Sequence, residues 1–366
     1  MNYHREFRRK LDLFPIGLPE TDETMRVLEL LFSEQEARVA AHVPMPPLMF
    51  TADRIARKAG MKKAEAARLL AGLASRNLII EVDALGVKRY MLMPAVPGFF
   101  EMQFMKTGEG RGELREVGRL WHEAIKGPLG EENYGYSTSG VRVLPIRKTI
   151  DATQTIFSYE EVGKIIKASG GVALTECACR KSARKCDAPL DVCMMFGTSG
   201  DYLVSRGLAR RVGEREAMQA FERAADAGLV PTTTNTMPPI QIICNCCKCC
   251  CLSLQGVVAL NKPASSVRSN FCSTPIEGAG CVLCRTCVKA CPVEAITVVD
   301  EQIVVNEEKC IGCGVCVHKC NKKALALTRK STAKPPQTSL HLMSKMLDER
   351  GKTTKILRAI VKDIVE

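Results

Sequence analysis

Histidine is scarce in this chain, and its five copies are scattered. His4, His42, His122 and His341 each stand apart from any Ser-His-Asp arrangement and read as surface or core residues. A phosphate loop and a dinucleotide fingerprint are also missing. Gly108-Glu-Gly-Arg-Gly112 offers a Gly-x-Gly, but no strand precedes it in a βαβ context, so it reads as a joint. No run approaches the roughly 18 apolar residues that cross a bilayer. Residues 1–24 lack the apolar segment of a secretory leader. A substrate-activating centre of a familiar kind is thus not visible. The expectation is a cytoplasmic protein whose thiols stay reduced and available to metal.

Thiols are what the chain has in quantity: 19 cysteines in 366 residues. A hydrophobic share of 46% with 25% charged residues is ordinary for a globular protein, and the length allows two or three domains. The net charge is 52 − 40 = +12. An oxidised cubane with four thiolates carries about −2, so part of this basicity balances bound anions, and an acidic protein partner would use the remainder as well as nucleic acid would.

The densest pattern is Cys281-x2-Cys284-x2-Cys287-x3-Cys291-Pro292, repeated as Cys310-x2-Cys313-x2-Cys316-x3-Cys320. Three closely spaced thiolates wrap one [4Fe–4S] cube, and the fourth lies too far along to close the same one. Cys281, Cys284, Cys287 and Cys320 are therefore assigned to one cluster, and Cys310, Cys313, Cys316 and Cys291 to the other. Zinc ribbons, which use two Cys-x2-Cys knuckles placed well apart, fit doubled triplets poorly.

With Ala295-Ile-Thr-Val-Val and Gln302-Ile-Val-Val as an alternating pair, residues from about Ser269 to Lys330 resemble the bacterial-type two-cluster ferredoxins. Asn321 departs from the second proline usual there. Val282-Leu283 and Arg285-Thr286 stand where small or glycine residues are common. These changes touch loop shape and potential, not ligand number.

Upstream, about 141–262 reads as an α/β domain. Strands are expected at Val141–Leu144, Val172–Thr175 and Ile240–Ile243, and helices at Tyr159–Ala168 and Glu214–Ala227, the last stopped by Gly228. Two cysteine groups follow strands: Cys177, Cys179, Cys186 and Cys193, then Cys244, Cys246, Cys247, Cys249, Cys250 and Cys251. If a helix begins near Cys247, then Cys247, Cys250 and Cys251 share its face. Arg180, Lys181, Arg184 and Lys185 suit an anionic sulfur-ligated site. These ten thiols are expected to hold one or two further [4Fe–4S] clusters. Structural zinc and a redox disulfide are the alternatives, and the ligands among the second group stay unassigned. Cys272 stands alone and reads as a small buried residue.

Residues 22–105 carry the pattern of a winged helix. Ser33 caps a helix with Glu36 closing a capping box. Thr51–Gly60 and Lys63–Arg76 follow, and then strands at Leu78–Val82 and Val87–Leu92 flank Asp83–Gly86. Such modules place their third helix in the DNA major groove or dock on proteins. Here Lys62, Lys63 and Arg68 are offset by Glu65. Residues 106–140 read as linker plus an amphipathic helix carrying Trp121 as core. Residues 331–366 read as a linker and a helical stripe that folds back on the protein.

The expected fold class is multidomain α+β: N-terminal winged helix, α/β cysteine-rich middle, ferredoxin-like domain over 266–330, and helical tail. Pro97-Gly-Phe-Phe-Glu-Met-Gln, Glu176-Cys-Ala-Cys-Arg, Gly228-Leu-Val-Pro and Ile243-Cys-Asn-Cys-Cys complete a resemblance to cysteine-rich iron–sulfur proteins of anaerobes. That resemblance implies electron transfer with a flavoprotein or oxidoreductase partner and says little about substrate. A winged-helix regulator that senses through its clusters is the alternative.

Overall fold

A computed structural model describes residues 2–105, 112–146, 149–150, 154–259 and 268–365. The joint expected at 108–112 lies outside the described residues apart from Gly112. The molecule is a mixed α/β protein that divides into two compact units. One comprises Met1–Phe104, Gly108–Asn133 and Ser344–Glu366, and the other Met105–Thr107 and Tyr134–Met343. Among the described residues, no helix is long and apolar enough to cross a membrane.

The first unit starts with α1 (Tyr3–Leu11), α2 (Asp22–Leu31) and α3 (Glu34–Ala40). Capping boxes open α2 at Thr21 and α3 at Ser33, whose N–H donates to Glu36 Oε2 at 2.9 Å. Each box satisfies backbone donors that the first turn leaves free. Next come β1 (Phe50–Thr51), α4 (Ala52–Ala59) and α5 (Lys63–Ser75). Gly60 stops α4 in the left-handed region, and α5 buries Ala66, Leu69, Leu70 and Leu73 at helical spacing. The hairpin β2 (Ile80–Ala84) and β3 (Val87–Met91) pairs Ile80 with Met91, and β1 joins the free edge of β3. Helices α1 and α2 were not anticipated in the sequence. Their core meets the rest edge to face, Phe7 against Phe32 at 4.8 Å and Phe32 against Phe99 at 5.7 Å.

Helices α6 (Phe100–Met105), α7 (Gly112–Ala124) and α8 (Pro128–Tyr134) continue the chain. Trp121 is fully buried and stacks on Phe100 at 4.6 Å, as a core residue should. The helix Thr353–Val365 returns to this unit through charge more than through its apolar stripe. Asp363 pairs with Lys10 at 3.2 Å and Lys58 at 3.5 Å, and Arg54 donates to the carbonyls of Asp363 and Ile364. Leu357, Val361, Ile364 and Val365 stay exposed.

The second unit is built on a six-stranded sheet. Its strands are β4 (Val141–Val143), β5 (Val172–Thr175), β6 (Cys193–Met195), β7 (Arg210–Val212), β8 (Val230–Thr234) and β9 (Ile242–Cys246). They lie in the order β4-β8-β9-β6-β5-β7, each neighbouring pair antiparallel. Helices α9 (Val162–Ala168), α10 (Ala178–Ala183), α11 (Gly197–Ser205), α12 (Glu214–Asp226) and α13 (Leu252–Ala259) connect or follow them. Two sequence expectations need correction. The last strand starts later than Ile240 and contains Cys244 and Cys246, and Cys193 opens a strand of its own. No helix starts near Cys247; α13 begins at Leu252, and Cys247–Cys251 form one turn closed by Cys251 N–H to the Cys247 carbonyl at 3.1 Å. A helix would send Cys249 away from Cys247, whereas the turn lets both face the same neighbour.

After this sheet come β10 (Phe271–Pro275), α14 (Thr286–Ala290), β11 (Ile296–Val299), β12 (Gln302–Val305), α15 (Val315–His318) and β13 (Leu325–Arg329). The expected alternating pair is a hairpin with Ile296 opposite Val305, turned by Asp300 and Glu301 at φ 45° and 56°. Strands β10 and β13 pair Cys272 with Thr328 and bring the two cysteine runs together.

Candidate metal centres

The two C-terminal runs fold alike although their sequences differ. Leu283 and Arg285 take φ of 53° and 59°, where the second run has Gly312 and Gly314 at 65° and 81°. The second loop is packed so closely that a Cβ on Gly312 would strike the Phe271 carbonyl and Ser269 Oγ, and one on Gly314 would strike Thr149 Oγ1. Cys281 and Cys284 are exposed on the first loop, so side chains fit there at the cost of left-handed backbone.

Cys281, Cys284, Cys287 and Cys320 line one cavity of about 450 Å³, together with Arg285, Lys322 and Gln302. Cys291, Cys310, Cys313 and Cys316 are all buried and lie within electrostatic reach of one another. Burial pushes the Cys316 thiol up to about 12 and Cys313 well above the ordinary range. Thiolates here need a cation beside them. Backbone donors are aimed at the sulfurs in matched positions: Ala295 N–H to Cys291 Sγ at 3.2 Å and Ala324 N–H to Cys320 Sγ at 3.4 Å. Ser273 adds its N–H to Cys310 Sγ at 3.5 Å, and its Oγ lies 3.3 Å from Cys316 Sγ.

Arg285 and Lys322 line this cavity beside Glu277 and Glu301, and Lys289 and Lys323 are exposed close by in the chain. His318 and Lys319, in the second run, do not add to that charge. His318 Nε2 lies 2.9 Å from Asp226 Oδ1, and Lys319 donates to the Asp226 carbonyl, so both bind the end of α12.

The ten upstream thiols, read from sequence as two runs, separate in space into different groups. Cys186, Cys247, Cys249 and Cys250 have their sulfurs within 4.8 Å of one another. The other six form a ring of electrostatic neighbours, Cys244–Cys193, Cys193–Cys177, Cys177–Cys179, Cys179–Cys251 and Cys251–Cys246, with Cys246 facing Cys244. Thr232 Oγ1 sits 3.3 Å from Cys246 Sγ. Cys246 and Cys251 share one apolar core with Cys287, Cys291, Cys310, Cys313 and Cys316.

Arg180 is 2% exposed and belongs to both groups. Burial opposes its charge, but Cys177, Cys193 and a contact with Cys247 hold its pKa above the ordinary value. Cys247 is correspondingly lowered to about 5, by Cys250 first and by Arg180. Of the other cations expected at this site, Lys181 pairs with Glu176 at 2.6 Å, and Arg184 and Lys185 are exposed.

Two participants were missed in the sequence. Cys272, read as a small buried residue, is buried and lies beside Cys310, whose thiol its proximity lowers to about 6. Ser273 touches two sulfurs of the second set. The only available signal was the alternation of a strand, which sends Cys272 and Ser273 to opposite faces but does not say what lies beyond either.

Comparison with known proteins agrees with this geometry. Residues 275–321 match the 4Fe-4S dicluster domain family, so this C-terminal region is a two-cluster ferredoxin-type module. Over 48 residues the chain is 44% identical to a subunit of the ion-translocating oxidoreductase complex of Methanosarcina acetivorans, covering 13% of this chain and 18% of that one. Over another 48-residue match it is 54% identical to the polyferredoxin-like subunit of an aliphatic sulfonate oxidoreductase of Pyrococcus furiosus, covering 12% of this chain and 27% of that one. The chain thus spans well under a third of the length of these relatives. No solved structure matches it.

Proposed function

We propose that this protein carries single electrons between a partner oxidoreductase and its own interior, in anaerobic metabolism. The observation that carries the reading is the unequal exposure of the two C-terminal ligand sets. Cys281 and Cys284 open to solvent beside Arg285 and Lys322, with Lys289 and Lys323 exposed close by in the chain, while Cys291, Cys310, Cys313 and Cys316 are enclosed. The spacing of the runs, the cavity lined by one set and the mutual proximity of the other support Cys281, Cys284, Cys287 and Cys320 as holders of one [4Fe–4S] cluster. The same observations support Cys310, Cys313, Cys316 and Cys291 for the second. Such clusters take up and release one electron at a time. The protein's own part is to orient the thiolates, to donate from Ala295, Ala324 and Ser273 to their sulfurs, and to exclude water from the inner set. The exposed cations steer an acidic partner to the outer set. The six-thiol ring, whose Cys246 and Cys251 share a core with the inner set, is suited to a further redox centre.

The first unit is read as a winged-helix module in a protein-docking role. Lys63 faces Asp53 at 3.7 Å. The tip of the hairpin presents an exposed Leu85 with no basic residue from Asp83 to Gly86. A wing that tracks DNA phosphate would need cations there.

Exchanging Lys289 and Lys322 for Glu tests the docking face. Electron exchange with an acidic redox protein should slow at least tenfold at low salt, and the difference should shrink as salt rises. Equal rates at all salt concentrations would place the partner elsewhere.

A further inference from the structure

Ten thiols in one region invite the assumption that all serve iron–sulfur clusters. The distances separate one group of four. Cys186 Sγ lies 3.8 Å from both Cys247 Sγ and Cys250 Sγ, and Cys250 Sγ lies 3.7 Å from Cys249 Sγ. Four thiolates on a single tetrahedral ion with metal–sulfur bonds of about 2.3 Å stand about 3.8 Å apart. Four thiolates on a cubane stand farther apart, because each bonds a different iron and an iron–iron edge separates every pair. We infer that Cys186, Cys247, Cys249 and Cys250 hold one tetrahedral zinc ion, distinct from every iron–sulfur centre of this chain.

The local backbone agrees. Cys247-Lys-Cys-Cys250 is a Cys-x2-Cys knuckle, closed by the Cys251 N–H on the Cys247 carbonyl at 3.1 Å. Val192, Ala224 and Leu229 pack against the site, where Cys247 and Cys250 are buried and Cys186 and Cys249 partly exposed. Four thiolates on a divalent ion leave a net charge of −2. Arg180 supplies a buried counter-charge, with Nε and Nη2 lacking hydrogen-bond partners. Four protein ligands fill the coordination sphere, so the site is structural: it pins the loop carrying Cys186 to the turn after β9.

The test is zinc-edge X-ray absorption and metal analysis on the full-length protein purified without oxygen. One zinc per chain with a first shell of four sulfurs at about 2.3 Å is expected. Cys186→Ser should lower zinc to well below half an equivalent and leave iron and sulfide unchanged. Absence of zinc from the wild type, a shell containing nitrogen or oxygen, or loss of iron in Cys186→Ser would overturn the inference. The wild-type spectrum decides the matter even if the variant fails to fold. Iron content, which tests the electron-transfer reading, is measured on the same sample and fails or holds separately.

Discussion

Arg180 donates from Nη1 to the Asn245 carbonyl at 2.8 Å, and both residues are buried between the two groups of thiols. Asn245 in turn donates to the Val192 carbonyl at 2.7 Å. One buried guanidinium thus joins α10 to β9 and faces sulfur on two sides.

Replacing it with an apolar residue leaves anionic sites without their counter-charge. Arg180→Leu should destabilise the second unit by about 3 kcal/mol, the order expected for breaking a buried charge pair. Denaturant unfolding of the metal-loaded protein measures this. A change under half a kcal/mol would mean the thiolates are neutralised by other means.

The paired loops make an asymmetric prediction. Gly312→Ala places a methyl group against the Phe271 carbonyl and Ser269 Oγ, in a backbone region that disfavours side chains. It should remove about half of the C-terminal module's iron. Leu283→Gly, at the equivalent position of the exposed loop, should keep all of it. Equal iron contents in the two variants would show that the loops are not held as described.

With the inner set holding a cluster as proposed, Ser273 tunes its electronics. A metal-bound thiolate has no proton, so at 3.3 Å the Ser273 hydroxyl is the donor to Cys316. A hydrogen bond stabilises the more negative reduced state, so Ser273→Ala should lower one of the two potentials. A bond of about 1 kcal/mol corresponds to about 40 mV for one electron. Redox titration followed by electron paramagnetic resonance reads the shift, and an upward shift would refute the assignment of the donor.

In the first unit, burial holds His42 below its ordinary value of 6.5, against the attraction of Glu6. The unfolded chain then binds the proton more readily than the folded one. Stability is full above about 6.5 and declines as pH falls from there toward the folded value. His42→Gln should flatten that limb, as followed by thermal unfolding between pH 7 and pH 5.

Much of the C-terminal module was legible because thiol spacing and strand alternation are local properties. Cys281 to Cys320, the 296–305 hairpin and the Ser33 cap needed no distant information. The regrouping of Cys177, Cys179 and Cys193 with Cys251, and of Cys186 with Cys250, was not legible. It depends on which strands of the sheet lie side by side, and β6 and β9 are neighbours only because residues nearly 50 positions apart pair as Met194 with Ile243. The contacts of His318 and Lys319 were not legible for the same reason, since Asp226 reaches them from another element.

Iron and acid-labile sulfide per chain, compared between wild type and the double variant Cys284→Ala, Cys313→Ala, test the central claim most directly. Removal of one ligand from each set should cost about eight irons and eight sulfides together with the signals of the reducible clusters. Iron and sulfide that survive the double substitution unchanged would contradict the assignment of these eight cysteines, and with it the proposed path of the electron.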